Sequence, residues 1–586
     1  MGIFCRKQQE GQPRRNRGCL WTIIVCVLIY MLTSVVMGYM FGSLMSPSAT
    51  LEDNTVYVLR LDGTLVEQGQ ENNPLSPLMS QMPAGYGKNQ NVVGLDDLKR
   101  NILLAKEDSK VRGILLRGGS MSMGQASAKA LREALIDFKQ SGKFLIAYSE
   151  SYSQTNYYVA SVADKIMLNP VGSVDWNGLA AQHMYFKRAL DNIGVEMQIV
   201  KVGTFKSAVE PYIRTSMSEA DREQTMLYVA GIWDIMKAGV AESRGLDVKQ
   251  LDALADRYMG LQDADELLKC GLVDTLVYTD QLDSVISTYA CTDDYNTMTT
   301  AEMSLVKRTE HKADSKVAVL YAEGEITDEQ GDGIVGKKML KQIAKIKDDK
   351  KVKAVVLRVN SPGGSANASE QIWHALQTLR ESGRPVVVSM GDLAASGGYY
   401  ISCGADYIYA EPNTLTGSIG IFGTIPSFAK LRDKIGVDID GVGTNSHSDF
   451  DSNIIYKGMN AEERAMMQAM VDRGYDLFTR RCAEGRNKSQ DDIKSIAEGR
   501  VWLGNDALRL GLVDELGGLE QAVLKAVELA GLPDYQVVYY PERKDFFTEL
   551  LESLDNSTEE ERLLLKLRNF CSKPRVMALM NAPVID

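Results

Sequence analysis

Histidine and cysteine are scarce in this chain, and their spacing excludes the common metal sites. The 586 residues include 4 histidines and 8 cysteines. The histidines are scattered, and neither an HExxH nor a CxxC motif occurs. Because zinc sites need such closely spaced ligands, we expect no metal, and we expect no other cofactor. Any hydrolytic chemistry therefore has to run without zinc, and it need not use a histidine base.

Basic charge is also in deficit. The chain carries 65 Lys and Arg against 77 Asp and Glu, a formal net charge of −12. Nucleic-acid binders neutralise phosphates with a broad basic surface, so the sequence predicts no nucleic-acid partner. The 45% hydrophobic and 24% charged fractions are typical of a globular protein. A chain of this length exceeds one ordinary domain.

Charged residues are absent from 19 to 45, and Ile23–Leu32 is strongly apolar. A membrane-spanning helix needs about 20 residues, whereas the apolar region of a cleaved signal peptide has only ~7–15. We therefore predict a retained anchor over 19–45, with cleavage among the small residues of Gly38–Ser48 as the alternative. The positive-inside rule keeps the basic tail 1–18 in the cytoplasm and sends the rest of the chain across the membrane.

The remaining chain contains an internal repeat. SGKFLIAYSESYSQTNYYVASVADKIMLNP from Ser141 aligns with SGRPVVVSMGDLAASGGYYISCGADYIYAEP from Ser382, with one single-residue gap. KVRGILLR from Lys110 matches KVKAVVLR from Lys351, and both copies contain Gly-Leu-Val-Asp. In each copy, short β-branched runs alternate with longer helix-like segments. This alternation predicts an α/β fold with parallel strands.

The repeat defines the domain organisation that we predict. Within the second copy we expect a strand at Lys353–Val359 and helices at Ser369–Glu381 and Ala461–Arg481. The Leu-, Glu- and Lys-rich stretch Asp545–Arg568 predicts an amphipathic helix. The predicted segments are the basic tail 1–18, the anchor 19–45, a first α/β repeat 54–290, a polar linker 291–314, a second α/β repeat 315–540 and a helical tail 541–586.

A serine in the second copy is the first candidate for catalysis. The run Val386–Val388 predicts a buried strand, followed by a turn at Gly391-Asp392 and then small residues around Ser396. A serine at a sharp strand-to-helix junction can present its hydroxyl to a substrate carbonyl. The alternative is a tightly packed Gly/Ala helix start. When the copies are aligned on their Tyr-Tyr pairs, Ser396 falls opposite Gln154, so only the second copy carries this serine.

A lysine in the first copy is the matching candidate for the base. KVGTFKSAVEPY contains Lys206, and the second copy has GVGTNSHSDF, which sets Ser446 opposite. A serine hydroxyl needs a neighbouring base, and a lysine serves when burial keeps it neutral. The alternative is a surface lysine paired with Glu210 at i+4. The apolar neighbours that favour burial are Val202, Phe205, Ala208 and Val209. We expect one site, assembled from both copies.

Two further motifs fit the same site. NSPGGSANAS, residues 360–369, follows the strand at Lys353–Val359, and Gly363-Gly364 lets backbone N–H groups face a ligand. This predicts an oxyanion hole, and the alternative is an ordinary glycine turn with an N-cap serine. Ser418, in TGSIG, is placed to hydrogen-bond the lysine amine and orient it, and its alternative is a simple turn or cap residue.

Together, KSAVEP, RVNSPGGS, DLAASGGYY and TGSIGIFG resemble the motifs of the signal peptide peptidase A (protease IV) family in its long tandem-repeat form. The resemblance extends from the anchor to about residue 535. It implies two tandem Clp-protease/crotonase-like α/β domains after one N-terminal transmembrane helix. It also implies that Ser396 is the nucleophile and Lys206 the general base, with Gly363 and Gly364 at the oxyanion hole and Ser418 orienting the lysine.

The family implies a membrane-anchored serine endopeptidase that degrades cleaved signal peptides and other apolar peptides. It further implies a single-pass protein of the bacterial inner membrane, with its catalytic domain on the periplasmic side, assembled as a homotetramer. Two alternatives stay open. A crotonase-like acyl-CoA enzyme uses the same scaffold, although it usually relies on carboxylates. An inactive membrane scaffold would not need the paired serine and lysine.

Overall fold

The computed structural model describes residues 49–69, 92–307, 311–543, 575–579 and 584–585. The predicted anchor 19–45 and the predicted helix Asp545–Arg568 lie outside these residues. Within the described part of the chain, no helix is long and apolar enough to cross a membrane.

The first repeat is built on a six-stranded parallel sheet in the order β10-β1-β4-β5-β6-β9. The strands of this half are β1 (Thr55–Arg60), β2 (Thr64–Val66), β3 (Val92–Gly94), β4 (Val111–Arg117), β5 (Phe144–Tyr152), β6 (Lys165–Val174), β7 (Ala181–Gln182), β8 (Glu196–Lys201), β9 (Thr275–Leu276) and β10 (Asn296–Thr299). The helices are α1 (Leu95–Glu107), α2 (Gln125–Lys139), α3 (Gln154–Ala160), α4 (Lys187–Ile193), α5 (Glu210–Ile213), α6 (Glu219–Arg244), α7 (Val248–Asp256), α8 (Ala264–Lys269), α9 (Leu282–Ala290) and α10 (Thr300–Ser304), with short 3-10 helices at Ser207–Val209, Met259–Leu261 and Thr279–Gln281.

The second repeat has the same topology. Its strands are β11 (Lys316–Glu323), β12 (Ile326–Thr327), β13 (Ile334–Val335), β14 (Val352–Ser361), β15 (Gly363–Ser365), β16 (Val386–Ala395), β17 (Tyr407–Ala410), β18 (Leu415–Gly417), β19 (Phe422–Ser427), β20 (Val501–Leu503), β21 (Glu515–Leu516) and β22 (Gln536–Tyr540). Its helices are α11 (Gly336–Asp348), α12 (Ala366–Glu381), α13 (Gly397–Ser402), α14 (Ala429–Ile435), α15 (Phe450–Lys457), α16 (Ala461–Arg486), α17 (Gln490–Ile496), α18 (Gly504–Leu510) and α19 (Leu519–Ala530). The order β22-β11-β14-β16-β17-β21 repeats that of the first sheet, as the tandem α/β prediction requires.

Burial on both faces explains why these strands are almost continuously apolar. In β11, Ala318 and Leu320 face one core cluster, whereas Val317 and Val319 pack with Ala522 and others on α19. Side chains alternate across a strand, so helices on both sides of the sheet bury both faces. This packing places the carboxyl ends of β14 and β16, where the candidate motifs lie, at one edge of the sheet.

The predicted helices and strands of the second copy are present, with longer bounds. The helix predicted over Ser369–Glu381 begins earlier and runs over Ala366–Glu381. The helix predicted over Ala461–Arg481 ends later and runs over Ala461–Arg486. The turn predicted at Gly391-Asp392 is wrong, because β16 continues to Ala395. On one edge of β16 the partner changes from β17 to β18, in the register Leu393↔Leu415, while β14 still pairs on the other edge at Ala394.

Two segments carry structure that the sequence did not predict. Part of the predicted linker 291–314 forms β10, which adds a parallel strand beside β1, and α10 buries Met303 against the first core. The predicted helical tail 541–586 is wrong for its described C-terminal residues, which form the strands β23 (Arg575–Leu579) and β24 (Val584–Ile585). Their backbones pair with strands of the two repeats, a long-range choice that local sequence does not encode.

A third sheet joins the two repeats. Its order is β13-β12-β15-β23-β19-β8, and β8 of the first repeat runs antiparallel to β19 of the second, from Lys201↔Phe422 to Glu196↔Ser427. A buried ion pair also bridges the copies, with the guanidinium of Arg358 donating to both carboxylate oxygens of Glu67 at 2.8 and 3.0 Å. At the end of β8, the chain of the first repeat therefore lies against the second repeat.

Candidate active site

Ser396 lies between β16 and α13, as the strand-to-helix prediction requires. Its backbone has φ 55° and ψ −113°, and its N–H donates to the carbonyl of Gly417 at 2.8 Å. Few residues other than glycine adopt a positive φ, and such strain costs about 1–3 kcal/mol. The small neighbours are needed for space: a Cβ on Gly398 would lie 2.7 Å from the carbonyl oxygen of Ser361. Strain of this kind is common at functional sites.

Lys206 reaches Ser396 from the other repeat. After β8, the chain stays on the second repeat, and the N–H of Phe205 donates to the carbonyl of Glu498 at 3.0 Å. The Nζ of Lys206 then lies 2.8 Å from the Oγ of Ser396, although 190 positions separate the two residues. Both side chains are buried, Lys206 at 1% exposure and Ser396 at 0%. The serine and lysine singled out in the two copies are thus brought within hydrogen-bonding distance.

The surroundings of Lys206 favour its neutral form. Burial lowers the pKa of the amine to about 7, because the ammonium loses its hydration. Ala208 and Val209 are buried in an apolar cluster with Phe422. The alternative of a surface lysine paired with Glu210 is wrong, since Lys206 is buried and its Nζ contacts Ser396 and Ser418 instead. A neutral amine near pH 7 can accept a proton.

Ser418 holds the lysine amine from the far side. Its carbonyl oxygen and its Oγ each lie 3.0 Å from the Nζ of Lys206. The backbone of Ser418 has φ 49°, and its N–H donates to the carbonyl of Arg500 at 2.7 Å. Two of the three amine contacts therefore go to one residue, and the third goes to Ser396. This arrangement fixes the direction of the amine lone pair.

Gly363 and Gly364 lie in β15, which packs against α13, the helix that follows Ser396. The N–H of Gly363 donates to the Oγ of Ser361 at 3.1 Å. Gly364 is engaged in sheet pairing with Ile326, and a Cβ there would lie 2.0 Å from the carbonyl oxygen of Ile326. The strand is therefore beside the nucleophile, and the oxyanion-hole role of the two glycines stays a prediction.

Two residues of the site escaped the sequence reasoning. A Cβ on Gly499 would lie 2.6 Å from the Cβ of Lys206, and its φ is +79°. The ring of Phe422 has its centroid 6.0 Å from the Nζ of Lys206. A glycine in AEGR gives no local signal, because the need for it arises from a side chain of the other repeat. Phe422 belongs to a short apolar strand that resembles many others.

Comparisons with known proteins agree with this arrangement. The sequence model of peptidase family S49 matches residues 137–290 and again 378–533. The Clp protease model matches residues 308–416, which supports a Clp-protease-like α/β fold. The predicted tandem architecture is thereby confirmed.

Long relatives show the same family. Protease 4 of Salmonella typhi is 37% identical over 513 residues, covering 85% of this chain and 82% of that protein. Protease 4 of Haemophilus influenzae is 35% identical over 538 residues, covering 87% and 86%. The chloroplastic serine protease SPPA of Arabidopsis thaliana is 27% identical over 453 residues, covering 75% and 66%. The predicted resemblance is confirmed, and the chain is a serine peptidase that belongs to peptidase family S49.

Proposed function

We propose that this chain is an endopeptidase whose single active site is a Ser/Lys dyad, with Ser396 as the nucleophile and Lys206 as the general base. The observation that carries the proposal is the 2.8 Å separation between the Nζ of Lys206 and the Oγ of Ser396 in a buried site. Such a distance allows direct proton transfer between base and nucleophile.

The reaction follows from the positions of these groups. The neutral amine of Lys206 takes the hydroxyl proton as the Oγ of Ser396 attacks the scissile carbonyl carbon. The N–H of Gly363, beside Gly364, turns from Ser361 to the developing oxyanion. The Lys206 ammonium then protonates the leaving amine, which leaves an acyl-enzyme on Ser396. Water, deprotonated by the same lysine, releases the acid product.

The apolar cluster beside the dyad bears on the substrate. Ala208, Val209 and Phe422 are buried, and the partly buried Ile199 and Ile213 pack against them. We propose that apolar peptides, cleaved signal peptides among them, supply side chains for this cluster. The charge-free stretch 19–45 supports a single-pass anchor in a bacterial inner membrane with the peptidase on the periplasmic side, where such peptides remain.

A difference between the copies supports self-association. Residues 437–444 of the second copy correspond to residues 195–204 of the first, which include β8; they are exposed and include Val437, Ile439 and Val442. Since β8 pairs with β19, we propose that 437–444 pairs with the corresponding edge, at β7, of a neighbouring chain. Such head-to-tail contacts close into a ring, and the resemblance suggests four chains. Ile439→Asp is expected to dissociate the ring in sedimentation experiments in detergent, and an unchanged sedimentation coefficient would contradict this contact.

A labelling experiment tests the dyad. The detergent-solubilised chain is treated with an acylating serine reagent, digested and analysed by mass spectrometry. We expect the adduct on Ser396 and none in Lys206→Ala, because the base is gone. An adduct on another serine, or full labelling without Lys206, would refute the mechanism.

A second measurement addresses the acyl-CoA alternative, against which membership of a peptidase family already argues. Coenzyme A is not expected to raise the melting temperature of the chain, whereas an apolar peptide is expected to raise that of Ser396→Ala. A large stabilisation by coenzyme A alone would instead favour the acyl-CoA enzyme.

A further inference from the structure

A strand from the C-terminal tail lies beside the candidate dyad. β23 runs antiparallel between β15 and β19, in the registers Gly363↔Leu579 and Phe422↔Met577. It also contacts α13, the helix that begins directly after Ser396. An extended peptide that enters a sheet in this way is held by main-chain hydrogen bonds, as in peptide recognition by strand addition. The gap between β15 and β19, which we call the peptide slot, is thus filled by the chain itself.

The side chain of Met577 enters the apolar cluster of the site. It packs with the buried residues Ala208, Val209 and Phe422. Phe422 is the ring that approaches the Nζ of Lys206, and Ala208 follows that lysine by two positions. The tail therefore occupies the apolar cluster that we propose for substrate, together with the strand edges beside it.

The second tail strand is bound in a corresponding place on the first repeat. β24 pairs antiparallel with β7, in the register Val584↔Gln182 and Ile585↔Ala181. The residues Ala181–Gln182 precede Phe186 and helix α4 by the same number of positions as Gly423–Thr424 precede Phe428 and helix α14. Gly423 and Thr424 are the partners of Val576 and Arg575 in β23. The two tail strands thus pair with corresponding positions of the two copies, β23 with β19 and β24 with β7.

We propose that Arg575–Leu579 is an internal ligand of the peptide slot and competes with peptide substrates for it. The proposal rests on the function proposed above, since it takes the peptide slot beside the dyad to be the place where substrate binds. Leu579 lies opposite Gly363, the predicted oxyanion donor, so this residue of the segment occupies the position where a scissile carbonyl is expected. In the first copy, where Gln154 stands opposite Ser396, β24 pairs with β7 in the corresponding place.

Truncation tests the competition in the full chain solubilised in detergent. A stop after Pro574 removes β23 and β24, and a stop after Met580 removes only β24. A ligand in the same chain acts at an effective concentration of about millimolar, so losing it is expected to lower the KM for an apolar fluorogenic peptide about tenfold or more. The kcat stays within about twofold, because the dyad is untouched. The stop after Met580 is the matched control and retains the KM of the full chain.

A point variant and a peptide added in trans sharpen the test. Met577→Glu in the full chain is expected to reproduce the lower KM, because a carboxylate is expelled from an apolar cluster, whereas Met577→Leu keeps the original value. A synthetic peptide with the sequence of residues 572–586 is expected to inhibit the chain truncated after Pro574 competitively. Equal KM values in the full and truncated chains would overturn the proposal.

Binding without catalysis separates this inference from the proposed function. In the Ser396→Ala background, fluorescence anisotropy measures binding of the fluorescein-labelled 572–586 peptide. We expect the chain truncated after Pro574 to bind it about tenfold or more tightly than the full chain does. Equal binding would refute occupancy of the slot, even if the chains that keep Ser396 cleave peptides normally. Tighter binding by the truncated chain, together with no cleavage by the chains that keep Ser396, would uphold occupancy and refute the peptidase mechanism.

Discussion

The two copies share their framework and differ in their chemistry. Tyr157 donates its hydroxyl to the carbonyl of Leu272 at 2.7 Å, and Tyr399 does the same to Leu512 at 2.8 Å. The ion pair Arg244–Asp274 of the first copy recurs as Arg486–Asp514 in the second. These contacts hold helices to the sheet in both copies. Duplication therefore preserved what the fold needs.

The difference is concentrated at the start of one helix. In the second copy this start is Ser396, with φ 55°; in the first it is Ser153, with a relaxed φ of −64°, followed by Gln154. The amide of Gln154 accepts from the N–H groups of Asn177 and Gly178 at 2.9 and 3.0 Å. In the first copy, Gln154 thus stabilises a loop through hydrogen bonds, whereas the second copy has a strained serine, Ser396, at the aligned position. The strain at Ser396 supports the proposal that the second copy carries the nucleophile.

The largest expected effect on activity comes from replacing Ser396, the residue at which the copies differ. Ser396→Ala is expected to lower kcat for casein about 10⁶-fold, because the nucleophile is lost. Gln154→Ala in the first copy is the matched control. It should retain activity and lose about 1–3 kcal/mol of unfolding free energy, because buried hydrogen-bond donors lose their acceptor. Substantial casein cleavage by Ser396→Ala would move the nucleophile elsewhere.

Removing the base is expected to cost nearly as much. Lys206→Ala should lower kcat about 10⁴-fold or more, since nucleophile and base act as a unit. Its counterpart Ser446 is exposed. Ser446→Ala should therefore leave kcat and KM within about twofold of the parent. If both variants keep normal activity, the base is not at this position in either copy.

The inter-repeat ion pair supplies the next comparison. Arg358 and Glu67 are each 4% exposed at their side chains, so Arg358→Ala leaves a buried carboxylate unpaired and should cost about 3–5 kcal/mol of unfolding free energy. The aligned residue Arg117 is half-buried, with its guanidinium 5.2 Å from the centroid of the Tyr148 ring. Arg117→Ala should cost about 1 kcal/mol. Equal losses in denaturant titrations would contradict a special role for the bridge.

Gly499 tests how closely one copy packs on the base of the other. Counted back from Gly-Leu-Val-Asp in each copy, Gly499 corresponds to Met259, a core residue of the first copy. Gly499→Ala must displace Lys206, so we expect kcat to fall about 10²-fold. Gly531 has a similar φ of +60°, and no atom of the described residues lies within 4 Å of the added Cβ. Gly531→Ala should keep full activity and lose only about 1 kcal/mol of stability.

The smallest expected effect is the pH dependence of the shared site. Burial lowers the pKa of Lys206 to about 7, and the neutral amine is the proposed base, so activity is expected above that pH and its loss is expected below it. We expect kcat/KM to rise about tenfold per pH unit below this pKa and then to level off. An inflection near the ordinary lysine pKa of about 10.4 would show that the first copy does not keep its lysine neutral.

Much of the site was predictable because chemistry and repetition both leave marks in a sequence. The alignment of the copies exposed Ser396 against Gln154 and Lys206 against Ser446, and the structure brings the first residue of each pair together. Gly499 was not predictable, because its requirement comes from Lys206 across the repeat boundary. The continuation of β16 through Gly391 was missed because β18, the partner that extends it, lies later in the chain.

The sequence alone determined the α/β repeats, since strand and helix periodicity and the duplicated segments are local properties. It also determined which copy carries the serine and which the lysine. Only the tertiary structure decided that β8 crosses to β19, that burial is complete enough to lower the pKa of Lys206, and that the tail forms a strand at the site. These outcomes depend on contacts between residues far apart in the chain, which pair by backbone hydrogen bonds and exclude water only once the two repeats have packed together.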